Sequence, residues 1–169
     1  LKQSDPAWAS ESYGGCGTIK SSGCGPTAAA MVVSSLGGEV DPAIMAKAFA
    51  DNGFRICGSG TSYGAFRSAK ILDQYGLVGE GISQDQMMIL LEQQKPVIVG
   101  MGPSIFTDKG HFIVLTGIDD KGIITVLDPG RRCYTIEGKR DCVDGAHPVL
   151  KSYILPYIKG GSITYIHAK

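Results

Sequence analysis

The composition of this 169-residue chain limits its function before any motif is considered. With 43% hydrophobic and 19% charged residues, it can bury one sizeable core, and its length is typical of a single domain. Sixteen basic and sixteen acidic residues cancel, so the net charge predicts neither a nucleic acid nor an anionic membrane as partner. Its longest apolar run, residues 28–33, is far too short to span a bilayer. We therefore expect one monomeric domain, residues 1–169, without a membrane span.

The first part of the chain carries helix signals. Pro26 suits the first turn of a helix and Gly37-Gly38 suit its end, which predicts a helix over 25–36. A capping box, Ser83 with Gln86, opens a later one. Helices are further expected between Asp41-Pro42 and Asn52-Gly53, between Thr61 or Ser62 and Gly76, and from Ser83 to the residues before Lys95-Pro96.

Short β-rich segments follow the helices. They read "PVIVGM", "HFIVLTGI", "GIITVLD", "CYTIEG" and "SITYIHA", and turn residues separate them. Helices followed by strands are typical of an α+β fold with an antiparallel sheet. We expect a helical part over about 1–94, packed on a sheet formed by about 95–169.

Five cysteines bear on the cellular compartment. Cys133 and Cys142 bracket a segment whose Glu-Gly-Lys centre is typical of a tight turn, so a disulfide can join them. Cys16 and Cys57 lie in glycine-rich loops and form the natural second pair, which leaves Cys24 free. Two disulfides predict an oxidising, extracytoplasmic environment. The alternative is five reduced cysteines in a cytosolic protein.

Metal and cofactor sites are not indicated. There is no C-x-x-C pair, and the three histidines show no metal-ligand spacing with the cysteines, so we expect no structural zinc and no cofactor. The opening "LKQSDPAW" lacks the charged and apolar regions of a signal peptide. We expect a mature or excised domain of a secreted, extracellular or wall-associated protein, with its signal segment missing from this chain.

Cys24 lies where a helix is predicted to begin. Unpaired backbone N–H groups and the positive end of the helix dipole favour the thiolate at such a position. Gly23 and Gly25 flank the cysteine and would allow a substrate to approach closely, while Ala28 to Ala30 leave room for packing above the helix. The pattern is consistent with a nucleophile, and equally with a small buried residue in a Gly/Ala-rich turn.

A nucleophilic cysteine needs a base, and His111 has a carboxylate nearby. Segments 111–118 and 123–128 flank the turn sequence "DDKG" and should form a hairpin. Pairing 118 with 123 sets Asp128 opposite Ile113 and diagonal to His111 on one face, within reach of the imidazole. Cys24, His111 and Asp128 would then form a catalytic triad. His147 and His167 lack such a partner in this prediction.

Several motifs in this order resemble a known family. The segments are "QSDPAW", "GCGPTAAAM", "KPVIVGMG", "GHFIVLTGID" and "ITVLDPG", spread over residues 2–130. They resemble bacterial secreted cysteine peptidases of the C39-like family, related to the peptidases that process double-glycine bacteriocin leaders. The resemblance implies a papain-like fold in which Cys24 is the nucleophile, His111 the base and acid, and Asp128 the residue that orients the imidazole.

The resemblance also implies an oxyanion donor. Papain-like enzymes usually carry a Gln six residues before the cysteine, but this chain has Thr18 there. Gln3, in the segment that resembles the family's N-terminus, could fold back to supply the amide, with the Cys24 backbone N–H as second donor. We expect Gly23, Gly25, Gly102, Ser104 and Phe106 to line the substrate cleft.

The expected function is hydrolysis of a peptide or amide bond through a thioester. The substrate is expected to be a peptide, a protein or a peptidoglycan peptide. Two alternatives stay open: a thiol-dependent peptidyl transferase similar to phytochelatin synthase, and a non-catalytic relative that binds peptides.

Overall fold

A computed structural model describes residues 1–169 of the chain. The α-helices are α1 (Ile19–Ser22), α2 (Cys24–Ser35), α3 (Pro42–Asp51), α4 (Ala69–Leu72) and α5 (Gln84–Glu92). The strands are β1 (Arg55–Ile56), β2 (Gly60–Thr61), β3 (Leu77–Gly81), β4 (Val97–Met101), β5 (His111–Ile118), β6 (Ile123–Leu127), β7 (Cys133–Ile136), β8 (Lys139–Cys142), β9 (His147–Leu150) and β10 (Thr164–Ala168). Short 3-10 helices cover Tyr63–Arg67, Asp73–Tyr75, Lys151–Tyr153 and Leu155–Tyr157.

A six-stranded antiparallel sheet forms the centre of the fold. Its strand order is β3-β10-β4-β5-β6-β9. Every residue of β4 is buried because apolar layers cover both faces of the sheet. Alternate residues of the central strands enter different layers: Ile98 and Val114 pack with α2 and α3, whereas Val99 and Ile113 pack with α5. The predicted α+β class with an antiparallel sheet is confirmed.

The predicted helix starts depend on capping side chains. The Asp41 carboxylate accepts a hydrogen bond from Ile44 N at 2.8 Å, and Pro42 occupies the first turn of α3. At α5, Ser83 Oγ accepts from Gln86 N while Gln86 Oε1 accepts from Ser83 N, as the sequence predicted. These caps satisfy N–H groups that a helix end leaves without backbone partners.

The third predicted helix is wrong, and the helical part contains a strand of the main sheet. Residues 61–76 form a 3-10 helix, an extended residue at Ser68, the single turn α4 and another 3-10 turn. β3 then pairs with β10 along its whole length. Its sequence "LVGEG" gives a weak strand signal because glycine is depleted in strands. Gly79 is needed there, since a Cβ would lie 2.0 Å from the Phe66 carbonyl oxygen.

The β5–β6 hairpin differs from the prediction by one residue near its turn. Ile118 pairs with Ile124, not with residue 123, because the Asp119 carboxylate accepts from Lys121 N and Ile123 N and shapes a longer turn. An irregularity between Leu115 and Gly117 absorbs this shift. Beyond it, Val114 pairs with Leu127, so Asp128 follows in the predicted register.

None of the helices has both the length and the apolar character needed to cross a bilayer.

The contact between β3 and the first 3-10 helix is testable at Gly79. We expect Gly79→Ala to lower the free energy of unfolding by about 1–3 kcal/mol, the usual cost of overpacking, because the backbone has to move to make room for the Cβ. Gly160→Ala is the matched control, since a Cβ there meets nothing within 4 Å and the φ angle is ordinary. Denaturant unfolding would measure both, and equal stability of the two variants would contradict this packing.

Candidate active site

Cys24 is the first residue of α2 and is half-buried. Burial opposes ionisation of this thiol, but interactions with His111 and with the backbone groups of Phe112 and Gly25 outweigh it. The net effect lowers the pKa of Cys24. The sequence "GCGPT" permits this position because a Cβ at Gly25 would lie 2.6 Å from Thr61 Oγ1. Cys24 therefore has the character of a nucleophile.

The imidazole of His111 is hydrogen-bonded to a carboxylate and also interacts with this thiol. His111 begins β5, and its Nε2 lies 2.6 Å from Asp128 Oδ1. Nδ1 is the ring nitrogen left for the thiol. Burial disfavours the charged imidazole, but hydrogen bonds and charges of Asp128 and Cys24 overcome this and raise the pKa of His111 to about 10. The arrangement thus favours a thiolate–imidazolium pair at neutral pH.

Asp128 is buried, and its carboxylate is saturated with donors. Only 2% of its side chain is exposed. Oδ1 accepts from Gly130 N at 2.8 Å and Arg131 N at 3.1 Å in addition to His111, and Oδ2 accepts from the Tyr134 hydroxyl at 2.7 Å. Burial raises the pKa of this carboxyl, but the bonds from His111, Tyr134 and Gly130 N–H reverse the effect, and the net pKa is lowered. Asp128 therefore stays ionised.

Tyr134 is a site residue that the sequence analysis missed. It lies in β7, fully buried, in an edge-on contact with Phe106 at 4.8 Å between centroids and in a tilted contact with His147 at 4.6 Å. Burial and the Asp128 charge strongly raise the pKa of its hydroxyl, so it donates as a neutral phenol. The predictive signal was slight: an aromatic residue directly after a cysteine of a predicted bridge.

Both remaining histidines have carboxylate neighbours, contrary to the prediction. His147 is buried, and its Nε2 lies 3.0 Å from Asp141 Oδ2, which comes from the β7–β8 hairpin. His167 Nε2 lies 3.8 Å from Glu80 Oε2 across the β10–β3 pair. Sequence spacing does not reveal either partner, because the hairpin packs on β9 and the strand β3 was not predicted. Neither histidine lines the cleft described below.

Gln3 lies behind the imidazole. Its backbone N donates to Pro129 O at 2.8 Å, and its Nε2 donates to Lys20 O at 2.8 Å and Ile19 O at 3.4 Å. Its Oε1 is buried without a hydrogen-bond partner. To donate to a substrate oxygen, the carboxamide must turn away from those carbonyls. The role of Gln3 as oxyanion donor stays a prediction.

A cleft of about 910 Å³ opens over Cys24 and His111. One group of its lining residues comes from Ser21–Ser22, Cys16 and the 55–63 segment. The other group comes from Gly100–Met101, 109–112 and Lys159.

The five residues expected to line this cleft do not line it. Gly23 and Gly25 are buried against Ile19 and Thr61, where they allow close packing of backbone. Phe106 is buried against Tyr134, Gly102 N donates to Tyr157 O, and Ser104 Oγ turns back to Gly102 O. The loop before His111 contributes Lys109 and Gly110 instead.

The structure contains both expected disulfides. Cys16 is bonded to Cys57 at the rim of the cleft, and Cys133 to Cys142 across the β7–β8 pair. Cys24 is the free cysteine. One disulfide therefore borders the cleft and the other closes the hairpin that carries Tyr134.

Comparison with known proteins identifies the family of the chain. Residues 3–148 match the peptidase C39-like family. The chain belongs to this family. Membership supports a peptidase-like function and implies a peptide substrate. None of the curated proteins compared with the chain is significantly similar to it.

Two solved structures share the fold. One is the peptidase domain of Streptococcus ComA, a bi-functional ABC transporter involved in a quorum-sensing pathway: 15% identity, TM-score 0.64, covering 91% of this chain and 97% of that one. The other is a C39-like peptidase from Bacillus anthracis: 18% identity, TM-score 0.54, covering 87% and 88%. At this identity the likeness shows the fold alone, which is papain-like.

The polarised thiol predicts selective alkylation. We expect iodoacetamide to label Cys24 at neutral pH, while the four other cysteines resist until reduced. The thiolate fraction should already be high below the ordinary thiol range, because the pKa of Cys24 is lowered. His111→Ala removes the largest of the interactions that lower this pKa and leaves the burial, so labelling should slow and its pH profile should move to higher pH. Mass spectrometry would measure both, and an unmoved profile would contradict the pairing.

The hydroxyl of Tyr134 predicts a second effect. Tyr134→Phe keeps the ring packing but leaves Asp128 Oδ2 without its donor, so the pKa of this carboxyl should rise and the imidazole should be held less firmly, which should shift the pH profile of Cys24 alkylation. Tyr153→Phe is the matched control, because it removes a hydroxyl bonded to Glu137 at the surface. The pH profile of alkylation is the measurement. Identical profiles for the two variants would mean that Tyr134 only fills space.

Proposed function

We propose that this protein is a secreted cysteine peptidase or amidohydrolase that acts through Cys24, His111 and Asp128. The observation that carries the proposal is the hydrogen bond from His111 to the buried Asp128 carboxylate, together with the interaction of the same imidazole with Cys24, which lowers the pKa of the thiol at the helix start. A structural cysteine would need no such polarisation. Membership of the C39-like peptidase family supports the same chemistry.

The mechanism has two acyl-transfer steps. The Cys24 thiolate attacks the amide carbonyl carbon, and the resulting oxyanion is held by the backbone N–H at the start of α2, with Gln3 as the proposed second donor after its carboxamide turns. The His111 imidazolium then gives its proton to the amine as the C–N bond breaks, which leaves a thioester. His111, now neutral, takes a proton from water, the hydroxide attacks the thioester, and the acid product leaves with Cys24 as thiolate again.

Asp128 positions the imidazole in this scheme. Its bond to Nε2 keeps Nδ1 directed to the thiol, and its charge keeps His111 protonated. The Tyr134 hydroxyl and the N–H groups of Gly130 and Arg131 hold the carboxylate in turn. Orientation of the ring is the main contribution of Asp128, as in other catalytic triads.

Two disulfides support an extracytoplasmic location. Disulfides persist in oxidising compartments, where the fifth cysteine, which is free, requires a function. A cell-wall peptide or a protein is the proposed substrate, in line with the peptide substrates of the family.

A series of variants tests the proposal. We expect Cys24→Ser and His111→Ala each to abolish peptide hydrolysis, and the double variant to lose no more, because the two residues act as a unit. Turnover would be followed by mass spectrometry of a peptide library and of peptidoglycan fragments. The same spectra separate hydrolysis from transfer, since transfer joins the acyl part to an added amine or thiol. Full turnover by either single variant would overturn the assignment.

Substitutions at Asp128 separate charge from orientation. In Asp128→Asn, Oδ1 can still accept from His111 and the two backbone N–H groups, while Nδ2 can donate to the Tyr134 hydroxyl oxygen. We expect this variant to keep substantial activity and Asp128→Ala to lose on the order of 10–100-fold, by analogy with lost supporting partners at metal sites. Asp120→Ala, at the exposed turn of the hairpin, is the control and should change stability by less than about 0.5 kcal/mol. Equal losses for Asp120→Ala and Asp128→Ala would require another carboxylate.

A further inference from the structure

The cleft over Cys24 is positively charged, although the chain as a whole is neutral. Sixteen acidic and sixteen basic residues balance in the sequence, yet the cleft lining contains Arg55, Lys109 and Lys159 and no Asp or Glu. The remaining polar lining is supplied by hydroxyl groups, among them Ser59 and Ser62. A concave surface with charges of one sign concentrates the potential and attracts counter-charged ligands.

The two lysines stand next to the candidate base and have no acidic partner. Lys109 precedes His111 by two residues, and the Lys159 Nζ lies against Gly110, 2.7 Å from the position of an added Cβ there. Both side chains belong to exposed residues, and neither forms an ion pair. The nearby Asp108 lies 3.6 Å from Arg131 and does not line the cleft. The ammonium groups are therefore free to bind an anion.

The main chain that carries Lys159 is held in place. Its N donates to Gly100 O at 2.8 Å, and its O accepts from the buried Ser162 Oγ at 2.6 Å. Ser162 Oγ also accepts from Gly100 N, which joins this loop to the end of β4. Lys159 thus approaches the cleft from a fixed base, so binding an anion would order only its side chain.

Arg55 contributes charge from the other group of lining residues but few free donors. Its guanidinium donates to the carbonyl oxygens of Tyr13, Cys16, Ile56 and Gly60 and lies over the Tyr13 ring at 4.7 Å from the centroid. It is a structural cation whose charge is not cancelled by a carboxylate. Direct contacts with a ligand are therefore left to the lysines.

We infer that the cleft selects peptides that carry a carboxylate close to the amide attacked by Cys24, and that Lys109 and Lys159 bind this carboxylate. The inference rests on the proposed function for the position of the scissile amide. The carboxylate can belong to an Asp or Glu side chain or to the end of a peptide, because an ammonium group binds both as a point charge. An acidic substrate meets no carboxylate in the lining, where the three basic side chains outnumber the Cys24 thiolate, whereas a basic substrate would be repelled.

Peptide binding tests the inference without requiring catalysis. The Cys24→Ser variant would be titrated with acetyl-Ala-Glu-Ala-amide, acetyl-Ala-Gln-Ala-amide and acetyl-Ala-Ala-Ala with a free carboxylate, followed by NMR shifts. We expect one or both acidic peptides to bind roughly two- to tenfold more tightly than the neutral one at low salt, as exposed charge pairs allow, and the difference to shrink as salt is added. Which acidic peptide binds better identifies the source of the carboxylate.

Charge variants identify the lysines as the cause. Lys109→Gln with Lys159→Gln should abolish the preference for the acidic peptide. Lys70→Gln with Lys95→Gln is the matched control, because it removes the same charge from two exposed lysines that have no ion pair and lie outside the cleft. Equal affinities for acidic and neutral peptides, or equal effects of the two double variants, would overturn the inference.

Alkylation of the native protein separates this inference from the proposed function. The ratio of the rates for iodoacetate and iodoacetamide at Cys24 should fall roughly two- to tenfold in the double variant of the cleft lysines and stay unchanged in the control. Carboxylate-dependent binding without any peptide turnover would defeat the proposed function alone. Turnover with no dependence on the carboxylate or the lysines would defeat this inference alone.

Discussion

The buried carboxylate of Asp128 is the constraint on which the site depends. A carboxylate removed from water is stable only when donors replace its hydration. Here the donors come from the start of β5, the turn after β6 and strand β7, so one side chain fixes three segments relative to each other. The N-terminal segment joins them through Lys2 Nζ, which donates to Asp128 O, and Gln3 N, which donates to Pro129 O. All these contacts lie behind the imidazole and leave the Cys24 side open to the cleft.

The same carboxylate determines how charge is distributed. Asp128 stabilises the imidazolium, and the imidazolium stabilises the thiolate. Together the three ionised side chains carry one net negative charge at a partly desolvated position. The cations that line the cleft offset this charge. The basic lining therefore has two effects: it stabilises the ionised site, and it attracts an acidic peptide. Without it, such a peptide would approach a net negative centre.

Local signals made most of the fold predictable. Caps at Asp41 and Ser83 and the alternating strands 97–101 and 111–118 are visible in the sequence because their causes lie within a few residues. The triad could be proposed for the same reason: a helix start, a strand start and a hairpin are local features. The sequence analysis missed β3 because two of its residues are glycines, which weaken a strand signal. These glycines are required by the close packing of Phe66 and Arg67, which lie outside the strand. Tyr134 and most of the cleft lining were missed because segments that are distant in sequence come together there. No local periodicity in the sequence indicates such contacts.

The disulfide in the hairpin that carries Tyr134 and the free thiol of Cys24 require opposite oxidation states of sulfur. The Cys133–Cys142 bond joins the two strands that place the phenol under Asp128, so this sulfur pair supports the site when oxidised. Cys24 supports the site only when reduced, as every attacking thiolate must. A strong reductant, the usual additive for thiol enzymes, would therefore protect the nucleophile and loosen its support together. The redox state of the solution therefore acts on the centre in two opposite ways, through the disulfide and through the free thiol.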